Sequence, residues 1–232
     1  MDGQTAVVTG ASRGIGRAVA ETVAEAGADV VVCARDPDDL QGVVEGITDR
    51  GGSATAVRAD VRDEYDVERL METAAGVGRP GIDAVVANAG VYNGTAGMTP
   101  LPEESYTAFD NHLRTNARGV FATIREALPH LADEARVLVV SGVVAREHAK
   151  GFGSYAVSKA TAEAIARGFA ADTDYTIGVI DPGQVSTDLT GGRGHSPDDV
   201  APQFSWALTD ADAETIDGEI VDRGDWRRSQ TA

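Results

Sequence analysis

The chain has 232 residues, 42% of them hydrophobic, and a formal net charge of −17. That length suits one α/β domain with a full core, and the acid excess excludes nucleic acid as a partner, which needs a basic footprint. No stretch approaches the roughly 20 apolar residues of a membrane span, and the opening "MDGQTAVVTG" lacks the basic-then-apolar order of a signal peptide, so the expected location is the cytoplasm.

Short β-branched runs alternate with longer amphipathic ones. Residues 5–10 read as a buried strand and 13–26 as a helix. The run 28–34 is a second strand, followed by a helix whose start is acidic from Asp36 to Asp39. Cys33 sits inside that apolar strand as a buried structural thiol, and a single cysteine rules out a disulfide within the chain. Further strands fall at 53–60, 81–90, 135–142, 175–183 and 217–222. A charged helix occupies 64–76, long helices fill 103–131 and 153–172, and another lies near 197–208. Strand–helix alternation with continuous apolar strands predicts an α/β fold: one domain, a doubly wound parallel sheet of about seven strands with helices on both faces.

The first strand runs into "TGASRGIG", which contains Gly10, Ser12, Arg13, Gly14, Ile15 and Gly16. Glycines permit a tight turn and close approach of the backbone to a pyrophosphate, and the helix start points unpaired N–H groups at it. The placement between strand and helix is the context such a loop requires.

This string resembles the TGxxxGxG of the short-chain dehydrogenase/reductase family, and further motifs in the same order extend the resemblance over nearly the whole chain. Asn88, Ala89 and Gly90 match the family's NAG, which holds the sheet and lines the cofactor site. Asp60 and Val61 match its adenine contact, and Asn116 its helix asparagine. Tyr155 and Lys159 match YxxxK. Pro182, Gly183, Val185 and Thr187 lie in "DPGQVSTDL", which matches the PG motif with the threonine that contacts the nicotinamide amide. The resemblance implies a Rossmann fold and an oxidoreductase of the classical, carbonyl-reductase-like type. It also implies a homodimer or homotetramer paired through the two long helices.

The end of the second strand selects the cofactor. An NAD enzyme places an acidic residue there for the ribose 2′-OH; here Ala34 is too small, and Arg35 follows. With Arg13 it offers two guanidiniums to a 2′-phosphate, so NADP(H) is expected over NAD(H). The alternative is that Arg35 merely begins a solvated loop, its charge diluted by Asp36.

Free tyrosine, with a pKa near 10, is a poor base at neutral pH. Lys159, one helical turn on, and a positive nicotinamide would favour the phenolate, letting Tyr155 give a proton to a carbonyl oxygen and take it back in reverse. Lys159 would also hold the nicotinamide ribose, and Asn116 would anchor a water linking the lysine to solvent. Lysine occurs only at Lys150 and Lys159 among 20 basic residues. An acidic, lysine-poor surface resembles that of salt-adapted proteins, in which dense salt screens self-repulsion.

The usual family serine stands thirteen positions before the tyrosine. That position is Gly142, and Ser141 stands fourteen before. Either the loop is one residue longer and Ser141 polarises the substrate carbonyl, or the serine is absent; "VVSGVV" resembles the carbonyl-reductase-like members, which have a serine followed by glycine and a longer loop, so Ser141 is the expected catalytic serine. Without a loop adjustment, strand alternation turns Ser141 away from the site.

The segments expected over the site bring in Tyr92, Arg146, His148, Lys150, Arg193 and His195, which suit a polar, even anionic, small carbonyl or alcohol substrate or are plain solvated positions. His112 and His130 show no metal-ligand spacing, and no metal is expected. Two rivals stand beside the reductase: a dinucleotide-binding redox sensor or scaffold without turnover, and a nucleotide-sugar epimerase or dehydratase. The short chain after Pro182 disfavours the last.

Overall fold

The computed structural model describes residues 1–231. Seven strands form: β1 (Thr5–Thr9), β2 (Asp29–Ala34), β3 (Ser53–Arg58), β4 (Ile82–Ala87), β5 (Leu131–Val140), β6 (Thr176–Asp181) and β7 (Ile220–Asp222). They join in one sheet in the order β3-β2-β1-β4-β5-β6-β7, every pair parallel. The order reverses between β1 and β4, and the crevice past the carboxyl ends of such strands is where ligands bind.

Helices cover both faces. On one side α1 (Gly14–Glu25), α2 (Pro37–Asp49) and α7 (Pro197–Thr209) bury Val19, Val23, Leu40 and Phe204 against Val8, Val30 and Leu138. On the other, α3 (Glu64–Ala75), α5 (Arg118–Ala127) and α6 (Gly153–Asp172) bury Leu70, Ile124 and Ala166 against Val7, Val85 and Val137. Burying each large aliphatic side chain contributes about 1.5–3 kcal/mol. Coverage on both faces is why the strands lack polar alternation.

Helix starts are capped where the sequence supplies an oxygen: Asp36 accepts from Asp38, Asp63 from Tyr65 and Ser196 from Asp199. The start of α1 is different. Arg13, its N-cap residue, makes no side-chain cap bond, so the first N–H groups of α1 face the crevice free to meet an anion.

Three expectations need correction. The helix expected at 103–131 is divided: α4 (Tyr106–His112) passes into a π-helical turn at Leu113–Ala117, then into α5, which ends in a short turn at Leu128–His130. Ser105 caps the start of α4, and Pro129, lacking an N–H, blocks extension at the other end. The strand expected at 135–142 begins instead at Leu131, because a register shift lets exposed residues 133 and 134 bulge out of the ladder. The last strand is only three residues long, flanked by α8 (Ala213–Ile216) and α9 (Arg223–Ser229), neither of which was expected. Asp222 and Asp225 form a capping box for α9, a signal present in the sequence.

Candidate active site

A cleft of about 1240 Å³ opens at the switch point. Its floor is the β1–α1 turn. Gly10 has φ +65°, and a Cβ there would stand 2.7 Å from the Ala89 Cα, so only glycine allows the two loops to touch. Asn88 ties the same point together: its amide donates to Thr9 O at 2.8 Å and Gly10 O at 3.1 Å, while Thr9 Oγ1 accepts from the backbone N–H groups of Asn88 and Ala89.

The cleft brings together nearly all the expected cofactor residues: Gly10, Ser12, Arg13, Gly14, Ile15, Arg35, Asp60, Val61, Asn88, Ala89, Gly90, Pro182, Gly183, Val185 and Thr187. Gly16 lies behind it, where a side chain would strike Asn88 and the Gly10 carbonyl. At one end Arg35 is exposed, and Asp60 holds Arg62 in a two-oxygen bond that keeps the carboxyl below its usual range. Arg62 lines this end too and was not anticipated; its place one residue past Val61 was the available signal. Arg13 reaches across the mouth to Asp188 at 3.0 Å, an exposed pair of small energetic weight. A glycine turn, an uncapped helix start and a cluster of guanidiniums fit a phosphate-bearing dinucleotide.

At the other end α6 presents Tyr155 and Lys159 to the cleft, one turn apart. Lys159 Nζ donates to Val140 O at 2.8 Å and lies 5.9 Å from the centre of the Tyr155 ring. Burial brings the lysine down to about 8, against an upward pull from Glu163. Burial, then Tyr92 and Asp181, pushes Tyr155 up to about 12. The expected lowering of Tyr155 by Lys159 does not appear: burial and the neighbouring acidic groups set its value. Cys33 is likewise held at about 12 by burial, an inert thiol.

Asn116 sits in the π-helical turn, fully buried behind Gly90 rather than on the cleft wall. Its amide donates to Val91 O at 2.9 Å and Ser158 Oγ at 3.0 Å, and its oxygen accepts the Val91 N–H at 2.8 Å. Widened turns of this kind are frequent at functional sites.

Ser141 lines the cleft, but its hydroxyl donates to Glu163 Oε1 at 2.7 Å. Arg146 bonds the same carboxylate oxygen and also Asp181, so its charge is matched by two buried carboxylates rather than offered to a substrate. Gly142 has extended backbone, and a Cβ there would meet nothing within 4 Å. Tyr92 hydrogen-bonds to Thr99 and packs its ring 4.8 Å from that of Tyr155. Val91, Ala96, Val143, Val144, Ala149 and Phe152 give the substrate end an apolar wall.

The model of the short chain dehydrogenase family matches residues 4–197, and the chain belongs to that family. It is 33% identical to an uncharacterized oxidoreductase of Methylorubrum extorquens over 95% of this chain and 96% of that one. It is 36% identical to a probable tetrahydroxynaphthalene reductase of Zymoseptoria tritici over 82% of this chain and 71% of that one. Among solved structures, a short chain dehydrogenase from Burkholderia cenocepacia in complex with NADP superposes with a TM-score of 0.84 at 28% identity, covering 95% of this chain and 96% of that one. A dehydrogenase/reductase from Sinorhizobium meliloti gives 0.86 at 29% identity over 96% and 94%. The protein is thus an NAD(P)-dependent oxidoreductase acting on CH–OH and C=O groups. Among the described residues no helix is long and apolar enough to cross a membrane.

Proposed function

We propose that the protein reduces an uncharged small-molecule carbonyl with NADPH, Tyr155 supplying the proton. The observation that carries this reading is the Tyr155–Lys159 face of α6, opening onto the same cleft as the glycine turn. Bound nicotinamide supplies the hydride. Tyr155, held near 12, is protonated at neutral pH and ready to act as the acid. Its use as a base in the reverse direction needs a further positive charge close by.

Lys159, anchored on Val140 O, would hold the nicotinamide ribose with its remaining hydrogens. The side chain of Asn116 is committed to Val91 and Ser158, so a water next to the lysine would fall to its backbone carbonyl. Asp60, Val61, the NAG turn and Thr187 would line the bound dinucleotide. Arg35, which has no carboxylate partner among the described residues, favours the 2′-phosphate form, whereas Arg62 and Arg13 would have to turn from Asp60 and Asp188 to join it; neighbours solved with NADP agree with that preference. The apolar wall and the neutralised Arg146 favour an uncharged substrate over the anionic one; of the other cations expected over the site, Arg193 lines the cleft, while His148, Lys150 and His195 do not.

We assign no carbonyl-polarising role to Ser141, because a proton donated to Glu163 is not available to a ketone. The bare face at Gly142 is also the one observation that favours a non-catalytic, NADP-binding reading. Its other implied properties follow as proposals: a salt-adapted surface, from the charge of −17, and pairing of two copies through the long helices, on which Phe121 and Val157 are exposed.

Following nicotinamide absorbance with NADPH, NADH and a panel of apolar ketones tests the reading. Turnover with NADPH that disappears in Tyr155→Phe supports it. NADPH binding without turnover across the panel favours the non-catalytic alternative.

A further inference from the structure

Next to Tyr155 lies a second buried polar cluster with no part in the chemistry described so far. His112 at the end of α4 and Ser154 at the start of α6 are 1% and 0% exposed, and the Glu104 side chain is 5% exposed. The Asn93 backbone N–H donates to His112 Nε2 at 2.8 Å. A ring nitrogen that accepts carries no hydrogen, so the neutral imidazole bears its proton on Nδ1. Nδ1–H donates to Ser154 Oγ at 2.7 Å, and the Ser154 hydroxyl donates to Glu104 Oε1 at 2.7 Å. The second Glu104 oxygen accepts the Ser154 N–H at 2.6 Å, satisfying an otherwise unpaired group in the first turn of α6.

These side chains tie the loop 91–99 to the first turn of α6. Both segments bear on the reaction: Tyr155 follows Ser154 directly, and Tyr92 precedes Asn93. The His112 ring completes the group, 6.0 Å from Tyr155 and 5.7 Å from Tyr92.

We propose that His112, relayed through Ser154 to Glu104, is a positioning residue for the reduction: it pins loop 91–99 to the start of α6 and so fixes the Tyr155 ring against the substrate end of the cleft. The role in turnover rests on the reductase reading; the pinning does not. Protonation undoes it. A hydrogen on Nε2 would face the Asn93 N–H, donor against donor, and free the loop. The titratable groups facing the imidazole are Glu104 from the turn before α4, Tyr92 from the loop and Tyr155 from α6; Asn93 and Ser154 do not ionise. Burial holds His112 below its usual value against the upward pull of Glu104, so the ring is neutral at pH 7.

The test measures kcat/KM and amide-exchange protection of residues 91–99 against pH. The wild type should lose both together as pH falls below the ordinary histidine value of about 6.5. His112→Phe should lose loop protection and its acid limb, bind NADPH normally, and drop about 10- to 100-fold in kcat/KM at neutral pH, the cost of a misplaced reacting group. Should it fail to fold, two other variants decide with opposite signs. Ser154→Ala leaves Nδ1 facing Glu104 Oε1 at 3.3 Å, which favours the imidazolium and moves the acid limb up in pH. Glu104→Gln removes that charge and moves the limb down. An acid limb at one pH in every variant that folds, or loop protection indifferent to His112, overturns the proposal. Exchange needs no turnover, so a protein that reduced nothing would defeat the reductase reading alone, with loop protection still deciding the pinning.

Discussion

Ser141 gives its hydroxyl proton to Glu163, at 2.7 Å, in a bond buried beneath the end of β5. A serine so placed braces α6 against the sheet, and the adjacent Gly142 has no side chain to offer a substrate carbonyl beside Tyr155.

Ser141→Ala should therefore keep kcat within about threefold of wild type, while losing the roughly 1.5–3 kcal/mol of a hydrogen bond to a charged group. Gly142→Ser meets no neighbour and no backbone strain, and a new donor at the carbonyl should raise kcat by up to about 100-fold, the low end of what a preorganised donor contributes. Steady-state kinetics with NADPH and one ketone decides. A collapse of kcat in Ser141→Ala with normal NADPH binding would return Ser141 to the reaction.

Arg146 stands between Glu163 and Asp181, both nearly buried. Arg146→Gln strands two carboxylates, and breaking a buried pair of this kind costs about 3–5 kcal/mol. The loss should be partly repaired by adding Glu163→Gln, which removes one of the two stranded charges. Urea unfolding of the single and double variants measures it; an equal loss with and without Glu163→Gln would show that the pair is not electrostatic.

Lys159 separates activity from stability. As pH rises through about 8 the ammonium is lost, and with it the partner of the ribose, so kcat/KM should fall. Stability should move the other way. The folded value lies below the ordinary 10.5, so between the two the unfolded chain binds more protons and stability rises with pH. Lys159→Met should flatten both. A stability curve falling through that window in wild type and unchanged in Lys159→Met would refute the assignment.

Arg35 is an exposed cation lining the end of the cleft just past Ala34, where the proposed reading puts a 2′-phosphate. Arg35→Glu should weaken NADPH binding about 10- to 100-fold, the loss of one charge-assisted bond, and leave NADH within a few-fold. Fluorescence titration of both cofactors checks it, and equal weakening would mean Arg35 does not read the phosphate.

With 37 acidic residues against 20 basic ones, the chain repels itself in dilute buffer. The melting temperature should rise steadily into molar salt, where the screening length falls to about 3 Å. A flat or falling response would remove the case for salt adaptation.

The seven-strand sheet, the glycine turn and the Tyr155–Lys159 pair could all be read from the sequence, because they rest on local rules. Apolar runs buried on both faces make strands, glycines permit a turn no other residue tolerates, and positions four apart share a helix face. The break at Asn116 was not legible, since nothing local distinguishes the π-helical turn from the helices around it. Nor was the partnership of Ser141, Arg146, Glu163 and Asp181, four residues from three separate segments. The same holds for Glu104, His112 and Ser154, up to fifty positions apart. A buried polar group must find a partner wherever the packed chain supplies one, and that choice belongs to the tertiary structure. One position lies on the boundary: the sequence narrowed the serine to Ser141 or none, and only the folded chain showed to which neighbour that hydroxyl gives its proton.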